Sequence, residues 1–235
     1  AVISIVAIIF DACVAGIGNS LVTEKTEKNY EDFCTMTFLT GFLLGICCSC
    51  FVCLYQPFMT LWMGKKNLLE FPLIICFVVY FFVYEIDQLI STYKDAAGIW
   101  YQDRYRPLVT AIFNLGLNVI TVKLLGLYGV LLSTVISIVI VGMPWLLYNI
   151  FHTLFIGTSI KRYILLLSKI LLSTIIVCVV TGGICFYIPF DGFLGLIICL
   201  LISVVLSCSL QLLMLFKCKE FMRAQGLMKN LLWRK

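Results

Sequence analysis

The chain has 235 residues, of which 62% are hydrophobic and 12% are charged, and its formal net charge is +5. Soluble domains are roughly 45–50% apolar and about 25% charged. This composition therefore excludes a soluble globular protein and indicates that lipid is the solvent for much of the surface. The cations lie in short segments beside apolar stretches, where membrane orientation and anionic headgroups account for them better than nucleic acid does.

Seven apolar stretches divide the sequence. Each is close to the ~20 residues that a bilayer-spanning helix needs, and backbone in hydrocarbon must satisfy its own hydrogen bonds as a helix. The stretches are Ala1–Val22, Cys34–Tyr55, Leu68–Ile90, Leu108–Leu125, Leu127–Tyr148, Tyr163–Tyr187 and Phe193–Phe216. The predicted fold is an all-α polytopic membrane protein with about seven transmembrane helices.

Lys and Arg residues concentrate in alternate connections between these stretches. Of the 17, 13 lie in four segments on one side of the predicted membrane. The segments are 23–33, 91–107, 149–162 and 217–235. Cationic loops are retained on the cytoplasmic side, so we expect a cytoplasmic C-terminus. An odd number of spans then places Ala1 outside, and since no initiating Met precedes it, we expect further helices upstream.

The first stretch carries Asp11 near its middle, on the helix face that also holds Ala15 and Gly18. An Asp at the centre of a spanning helix costs ~2.5–3.5 kcal/mol to insert and commonly marks a proton or ion pathway. Asp11 is therefore a candidate cavity or ion-coupling residue. The alternative is a protonated carboxyl that hydrogen-bonds a neighbouring helix.

Most of the twelve cysteines lie inside apolar stretches, where thiols pack as small hydrophobic side chains. Cys47, Cys50 and Cys53 form two overlapping C-x-x-C spacings, a pattern that is also typical of metal or redox sites. No His or carboxylate accompanies them in the stretch. We interpret them as packing residues and predict no metal site.

The third stretch ends near two carboxylates, Glu85 and Asp87. A carboxylate near the end of a spanning helix stays hydrated at little cost if it reaches interfacial water. The sequence therefore predicts that both side chains are solvated at the membrane surface.

The fourth stretch has a polar face made of Thr110, Asn114, Asn118 and Thr121, which recur every three or four residues. Amides and hydroxyls are costly against acyl chains, so this face must meet a hydrated cavity or a neighbouring helix. Asn114 and Asn118 are candidate cavity residues. Hydrogen bonding between helices, with no role for a solute, is the alternative.

The fifth stretch follows a tight turn at Gly126 and carries Gly129, Ser133 and Ser137 at spacings of four. Such a face of small residues lets two helix backbones approach closely, so the fourth and fifth helices are predicted to form an antiparallel hairpin. Pro144, together with the glycine two residues before it, predicts a kink.

The last stretch repeats this pattern of small or polar residues every four positions, which predicts a packing face. The residues are Gly195, Cys199, Ser203, Ser207 and Gln211. Beyond it, residues 221–235 alternate cations with apolar side chains and predict an interfacial amphipathic helix.

The sequence has no nucleotide-binding loop, metalloprotease motif or nucleophile elbow, so we predict neither an enzyme nor a cofactor.

The connection after the third stretch interleaves Lys94, Arg104 and Arg106 with aromatic residues. The aromatic residues are Trp100, Tyr101 and Tyr105. Aromatic rings settle at headgroup level, and Arg binds phosphate through two parallel hydrogen bonds. The three cations are candidate contacts for a phosphate or lipid headgroup. Orientation of the protein alone is the alternative.

The segment 96–107, AAGIWYQDRYRP, resembles the connection before the eleventh helix of Wzx-type polysaccharide flippases. The resemblance continues through Asn114, Asn118, Lys123 and residues 126–134, and segments 18–21 and 61–64 are similar at matching intervals. These transporters belong to the multidrug/oligosaccharidyl-lipid/polysaccharide exporter superfamily.

The resemblance implies helices 8–14 of a fold with two six-helix lobes and two extra helices. Residues 1–155 would form the C-terminal transmembrane lobe without its first helix, 156–216 the two additional helices and 217–235 a basic cytoplasmic tail. Because the eighth helix lines the cavity in related transporters, Asn19 joins Asp11 as a candidate cavity residue.

The implied function is to flip polyprenyl-pyrophosphate-linked oligosaccharide repeat units across the cytoplasmic membrane by alternating access. Expected partners are that lipid-linked oligosaccharide, membrane lipids, H+ or Na+ as the coupling ion, and polysaccharide-assembly proteins. The alternatives are a multidrug exporter of organic cations from the same superfamily, an integral-membrane polysaccharide polymerase or glycosyltransferase, and a seven-helix receptor. The short connections argue against the polymerase, and the tight turn at Gly126 argues against the receptor.

Overall fold

A computed structural model describes residues 2–187 and 192–232. The described chain is built of helices and contains no strand. The α-helices are α1 (Val2–Thr23), α2 (Thr26–Met63), α3 (Phe71–Ala96), α4 (Arg106–Leu125), α5 (Leu127–Ser137), α6 (Met143–Thr153), α7 (Ile160–Tyr187), α8 (Gly192–Leu215) and α9 (Lys219–Leu232). A 3-10 turn, Lys65–Asn67, precedes α3, and a π turn, Ile138–Gly142, joins α5 to α6.

Six helices in the described residues are long and apolar enough to cross a membrane, with α5, the π turn and α6 forming one of them. They are Thr26–Met63, Phe71–Ala96, Arg106–Leu125, Leu127–Thr153, Ile160–Tyr187 and Gly192–Leu215. The first predicted span corresponds to α1, of which the shorter segment Ala12–Thr23 is described as an apolar helix. The prediction of an all-α multi-pass membrane protein is confirmed.

The cationic segment 23–33 is largely helical, because α2 already begins at Thr26. The first turns of α2 are polar, but one face of them is apolar and buried. On that face Tyr30 and Phe33 pack against the ring of Phe155 at centroid distances of 5.6 and 5.1 Å. Burial of that face stabilises the helix where composition suggested a loop. At 38 residues, α2 is ~57 Å long and exceeds the ~30 Å hydrocarbon core, so its polar end extends beyond it.

The predicted hairpin of the fourth and fifth spans is confirmed by α4 and α5. Gly126 joins them with a φ of +56°, a conformation that a side chain rarely adopts. The buried residues of α5 are Gly129, Ser133 and Ser137, the three small residues that the spacing placed on one face. α4 itself buries no residue, so the hairpin presents most of the α4 surface outward.

The helix after α5 is irregular where a kink was predicted. The irregularity is the π turn, which ends at Gly142, two residues before Pro144. Proline has no backbone N–H and cannot continue the regular hydrogen-bond ladder, and a π turn is one way for a helix to pass such a residue.

The chain forms two compact units. The first unit, Ala1–Phe33 with Val79–Ile160, has a buried aromatic cluster that includes Phe33, Tyr93 and Phe155. Rings of Phe33 and Tyr93 meet edge to face at 4.7 Å.

The second unit comprises Cys34–Val78 and Lys161–Lys235. Its interior is partly polar: Thr37 donates to the Tyr163 hydroxyl at 3.3 Å, and Ser49 hydrogen-bonds Ser207. All five residues of the packing face predicted for the last span are buried in α8, as that prediction requires.

The predicted amphipathic tail is helical as α9, and Trp233–Lys235 lie outside the described residues. The division of the sequence at residues 155 and 216 stays a prediction.

Candidate functional site

Five charged side chains meet where α3 ends and α4 begins, and we call them the α3–α4 charge network: Asp87, Lys94, Asp95, Asp103 and Arg106. Lys94 Nζ lies 2.7 Å from Asp95 Oδ1 and 3.6 Å from Asp103 Oδ2. Arg106 Nε donates to both carboxylate oxygens of Asp103, at 2.8 and 3.0 Å. Arg106 Nη1 lies 3.9 Å from Asp87 Oδ2.

Asp103 is the centre of this network. Its side chain also accepts a hydrogen bond of 3.1 Å from Asn149 Nδ2 on α6, and the same amide donates to the Gln102 carbonyl at 3.3 Å. Asp103 is only 3% exposed. Removing one partner of a buried ion pair leaves an uncompensated charge, which is strongly destabilising. The network therefore fixes the loop between α3 and α4 to both of those helices and to α6.

Arg104 lies on the outside of the same loop. Its guanidinium carbon is 4.0 Å from the ring centroid of Tyr101 and 4.7 Å from that of Tyr105. Both rings are exposed, Tyr101 to 71%. The exposed ring of Trp100 lies instead under Lys94, whose Nζ is 4.4 Å from the ring centroid. Within the described part of the chain Arg104 forms no ion pair. We call Arg104 and the rings of Tyr101 and Tyr105 the Arg104 platform.

The three cations that the sequence marked as phosphate contacts are thus divided. Lys94 and Arg106 turn inward and bind carboxylates, whereas Arg104 is displayed outward on aromatic rings. Sequence reasoning missed the role of Asp103. The three-residue spacing of Asp103 and Arg106 was an available signal, because an Asp just before a helix lies close to the residues of its first turn.

The polar face of α4 is hydrogen-bonded to α5. Ser133 Oγ donates to Asn118 Oδ1 at 2.8 Å, Asn118 Nδ2 donates to Asn114 Oδ1, and Thr121 Oγ1 donates to the Gly129 carbonyl at 3.1 Å. The bonds of Asn118 with Ser133 and of Thr121 with Gly129 are interhelical, the alternative left open for this face, whereas the bond of Asn118 with Asn114 lies within α4. Asn114 and Asn118 are half-buried, so the amides remain partly accessible.

The two candidates on α1 are not joined to Asn114 or Asn118 by any described hydrogen bond. Asp11 belongs to α1, but its side chain lies outside the described residues. Asn19 is exposed, and its backbone carbonyl accepts a hydrogen bond of 2.9 Å from Thr23 Oγ1.

The expectation that Glu85 and Asp87 are solvated is wrong, because both are buried in the protein. Asp87 faces Arg106, as described above. Glu85 is 1% exposed and lines a cleft between α1 and α3. Helical periodicity did not reveal this burial, since it depends on how α1 packs along α3.

The fold and these sites define a multi-pass, all-α membrane protein with a charged network at one end of its helices. Among the described residues no group of three or more metal-ligating side chains comes together. Comparison with protein-family models, with curated proteins and with solved structures returned no match.

Proposed function

We propose that this chain functions in a transporter that flips polyprenyl-pyrophosphate-linked oligosaccharide repeat units across the cytoplasmic membrane by alternating access. The Arg104 platform is the observation that carries the proposal. It joins an outward guanidinium to exposed aromatic rings at the end of two membrane-crossing helices. A guanidinium pairs bidentately with phosphate oxygens, and aromatic rings settle at headgroup depth.

The charge network supports the proposal because it makes the platform rigid. Arg106 and Asp103 flank Arg104 in the sequence at distances of two residues and one residue, and their pairing fixes the loop backbone. A preorganised loop binds its ligand with a smaller entropic cost. In the proposed mechanism, Arg104 contacts the pyrophosphate on the cytoplasmic side while the polyprenyl chain stays in lipid.

The polar hairpin gives secondary support. Asn114, Asn118 and Ser133 form a chain of side-chain hydrogen bonds inside a membrane-spanning pair of helices. Half-buried amides of this kind suit a surface that meets sugar hydroxyls when a cavity opens. Rocking of helix bundles around such a surface is the usual form of alternating access.

The direct test is complementation of a bacterial strain that lacks its polysaccharide flippase, with the full-length protein carrying Arg104→Gln or Arg104→Lys. We expect R104Q to lose most surface polysaccharide and R104K to keep part of it, because Lys retains the charge but not the planar bidentate geometry. Lys65→Gln is the matched control, since Lys65 is also exposed and lies in the turn before α3.

Two outcomes would contradict the proposal. One is full polysaccharide export by R104Q at an expression level equal to that of the wild type. The other is failure of the wild-type protein to complement while it lowers cellular accumulation of an organic cation such as ethidium, which would assign it to multidrug export.

A further inference from the structure

A cleft of about 110 Å³ lies between α1 and α3 in the first unit. The described α1 side chains that line it are apolar and include Phe10. The polar lining comes from α3: Tyr84, Glu85, Gln88, Ser91, Thr92 and Asp95. Glu85, Gln88, Thr92 and Asp95 are spaced by three, four and three residues and so share one helix face.

Glu85 has no neutralising partner in the described part of the protein. It is 1% exposed, and its Oε1 atom has no hydrogen-bond partner among the described residues. An ionised carboxylate that is buried and unpaired carries a desolvation cost too large for a folded protein to retain. Glu85 must therefore be neutralised by a proton or by a bound cation.

The cleft offers further ligands to a cation at Glu85. Glu85 Oε1 is buried and accepts no hydrogen bond from the described residues, so it is available to an ion. Gln88, Ser91 and Thr92, which carry an amide and two hydroxyls, line the same cleft. Thr92 Oγ1 donates to the Gln88 carbonyl at 2.9 Å, which leaves the lone pairs of the hydroxyl oxygen available.

The charge balance of the cleft fits a monovalent ion. Asp95, the other described carboxylate of the lining, already has an ion-pair partner in Lys94 at 2.7 Å, which it shares with Asp103. One carboxylate with several neutral oxygens therefore remains, whereas Ca2+ and Mg2+ sites usually draw on more carboxylates. A volume of about 110 Å³ also holds several waters, so an ion need not be fully dehydrated.

We propose that Glu85, with the neutral oxygens of Gln88, Ser91 and Thr92, forms a binding site for a monovalent alkali cation in the α1–α3 cleft. The inference deepens the proposed function by locating a site for the coupling ion. Only the role of the bound ion in driving transport rests on the proposed function. Cation binding is measured without transport, so the result of this test does not depend on whether the protein is a flippase.

The test uses the full chain in lipid nanodiscs, with thermal unfolding followed in NaCl and in N-methylglucamine chloride of equal ionic strength. A ligand that binds only the folded state raises Tm with its concentration. We expect a saturable, Na+-specific rise in Tm and saturable uptake of radiolabelled Na+. Glu85→Gln should abolish both, and Glu27→Gln, which alters an exposed glutamate of α2, should change neither.

Two further measurements separate loss of the ligand from loss of the fold. E85Q should unfold in the Na+-free buffer at a temperature no lower than that of the wild type, because it removes a buried charge without changing shape. Gln88→Leu, which keeps Glu85, should weaken Na+ binding without eliminating it. The proposal is overturned if the wild type binds no Na+, or if E85Q binds Na+ as the wild type does.

Discussion

Gly45 of α2 lies directly against the side chain of Gln211 of α8. A Cβ atom at position 45 would come within 2.6 Å of Gln211 Nε2 and 2.8 Å of its Cδ atom. Gln211 is fully buried, and Nε2 donates to the Phe42 carbonyl at 3.1 Å. The long polar side chain of Gln211 thus fits inside the second unit because Gly45, which faces it, has no side chain.

The first prediction follows from this contact. Gly45→Ala should destabilise the protein by about 1–3 kcal/mol, because the new methyl displaces a buried amide from its acceptor. The measurement is thermal unfolding in detergent micelles, followed by a thiol-reactive dye that reports exposure of the buried cysteines.

The matched control is Gly183→Ala on α7, where no atom lies within 4 Å of the added methyl. There the better helix propensity of Ala should leave stability unchanged or raise it. Adding Gln211→Ala to G45A should recover part of the loss, since it removes the clash. Equal Tm values for G45A and G183A would contradict the packing described for α2 and α8.

Much of the fold could be predicted from the spacing of small residues. Ser133 and Ser137 on α5, and Ser203 and Ser207 on α8, recur every four positions, and both faces are buried. This pattern is informative in a membrane because helices associate there through close backbone approach rather than through a hydrophobic driving force. The start of α2 could not be read in this way, because its helix depends on the packing of Tyr30 and Phe33.

The candidate site was predictable only in part. The cations of the α3–α4 connection were recognised by composition, but their partners were not. Asp87 and Arg106 are 19 residues apart, and nothing in a sequence states which distant charges meet. For the same reason Glu85 was predicted to be solvated, although α1 buries it.

The second prediction concerns the α4–α5 hairpin. A methyl group on Gly129 would overlap the backbone oxygen of Thr121. Unlike the end of a flexible side chain, a helix backbone cannot move aside locally. Gly129→Ala should therefore separate the two helices and cost about 3 kcal/mol or more, at the upper end of overpacking effects.

Gly116→Ala on α4 is the control for this change, because no atom lies within 4 Å of its added methyl. We expect G129A to lower Tm and to weaken protection of the hairpin in hydrogen exchange, while G116A leaves both unchanged. Wild-type protection of α5 in G129A would show that the hairpin is packed differently.

The third prediction tests Asp103 as the centre of the α3–α4 charge network. Asp103→Asn keeps the size of the side chain but removes its charge, which leaves Lys94 with Asp95 alone and Arg106 with the more distant Asp87. Because Asp103 is buried, the loss should be on the order of 3 kcal/mol. Asp95→Asn is the matched control: the Asp95 side chain is 38% exposed and Lys94 keeps Asp103 as a partner, so a smaller effect than that of D103N is expected. Limited proteolysis within residues 97–105 measures how firmly the loop between α3 and α4 is held. We expect faster cleavage in D103N than in D95N. If both variants are cleaved at the wild-type rate and keep the wild-type Tm, the loop is held by something other than these ion pairs.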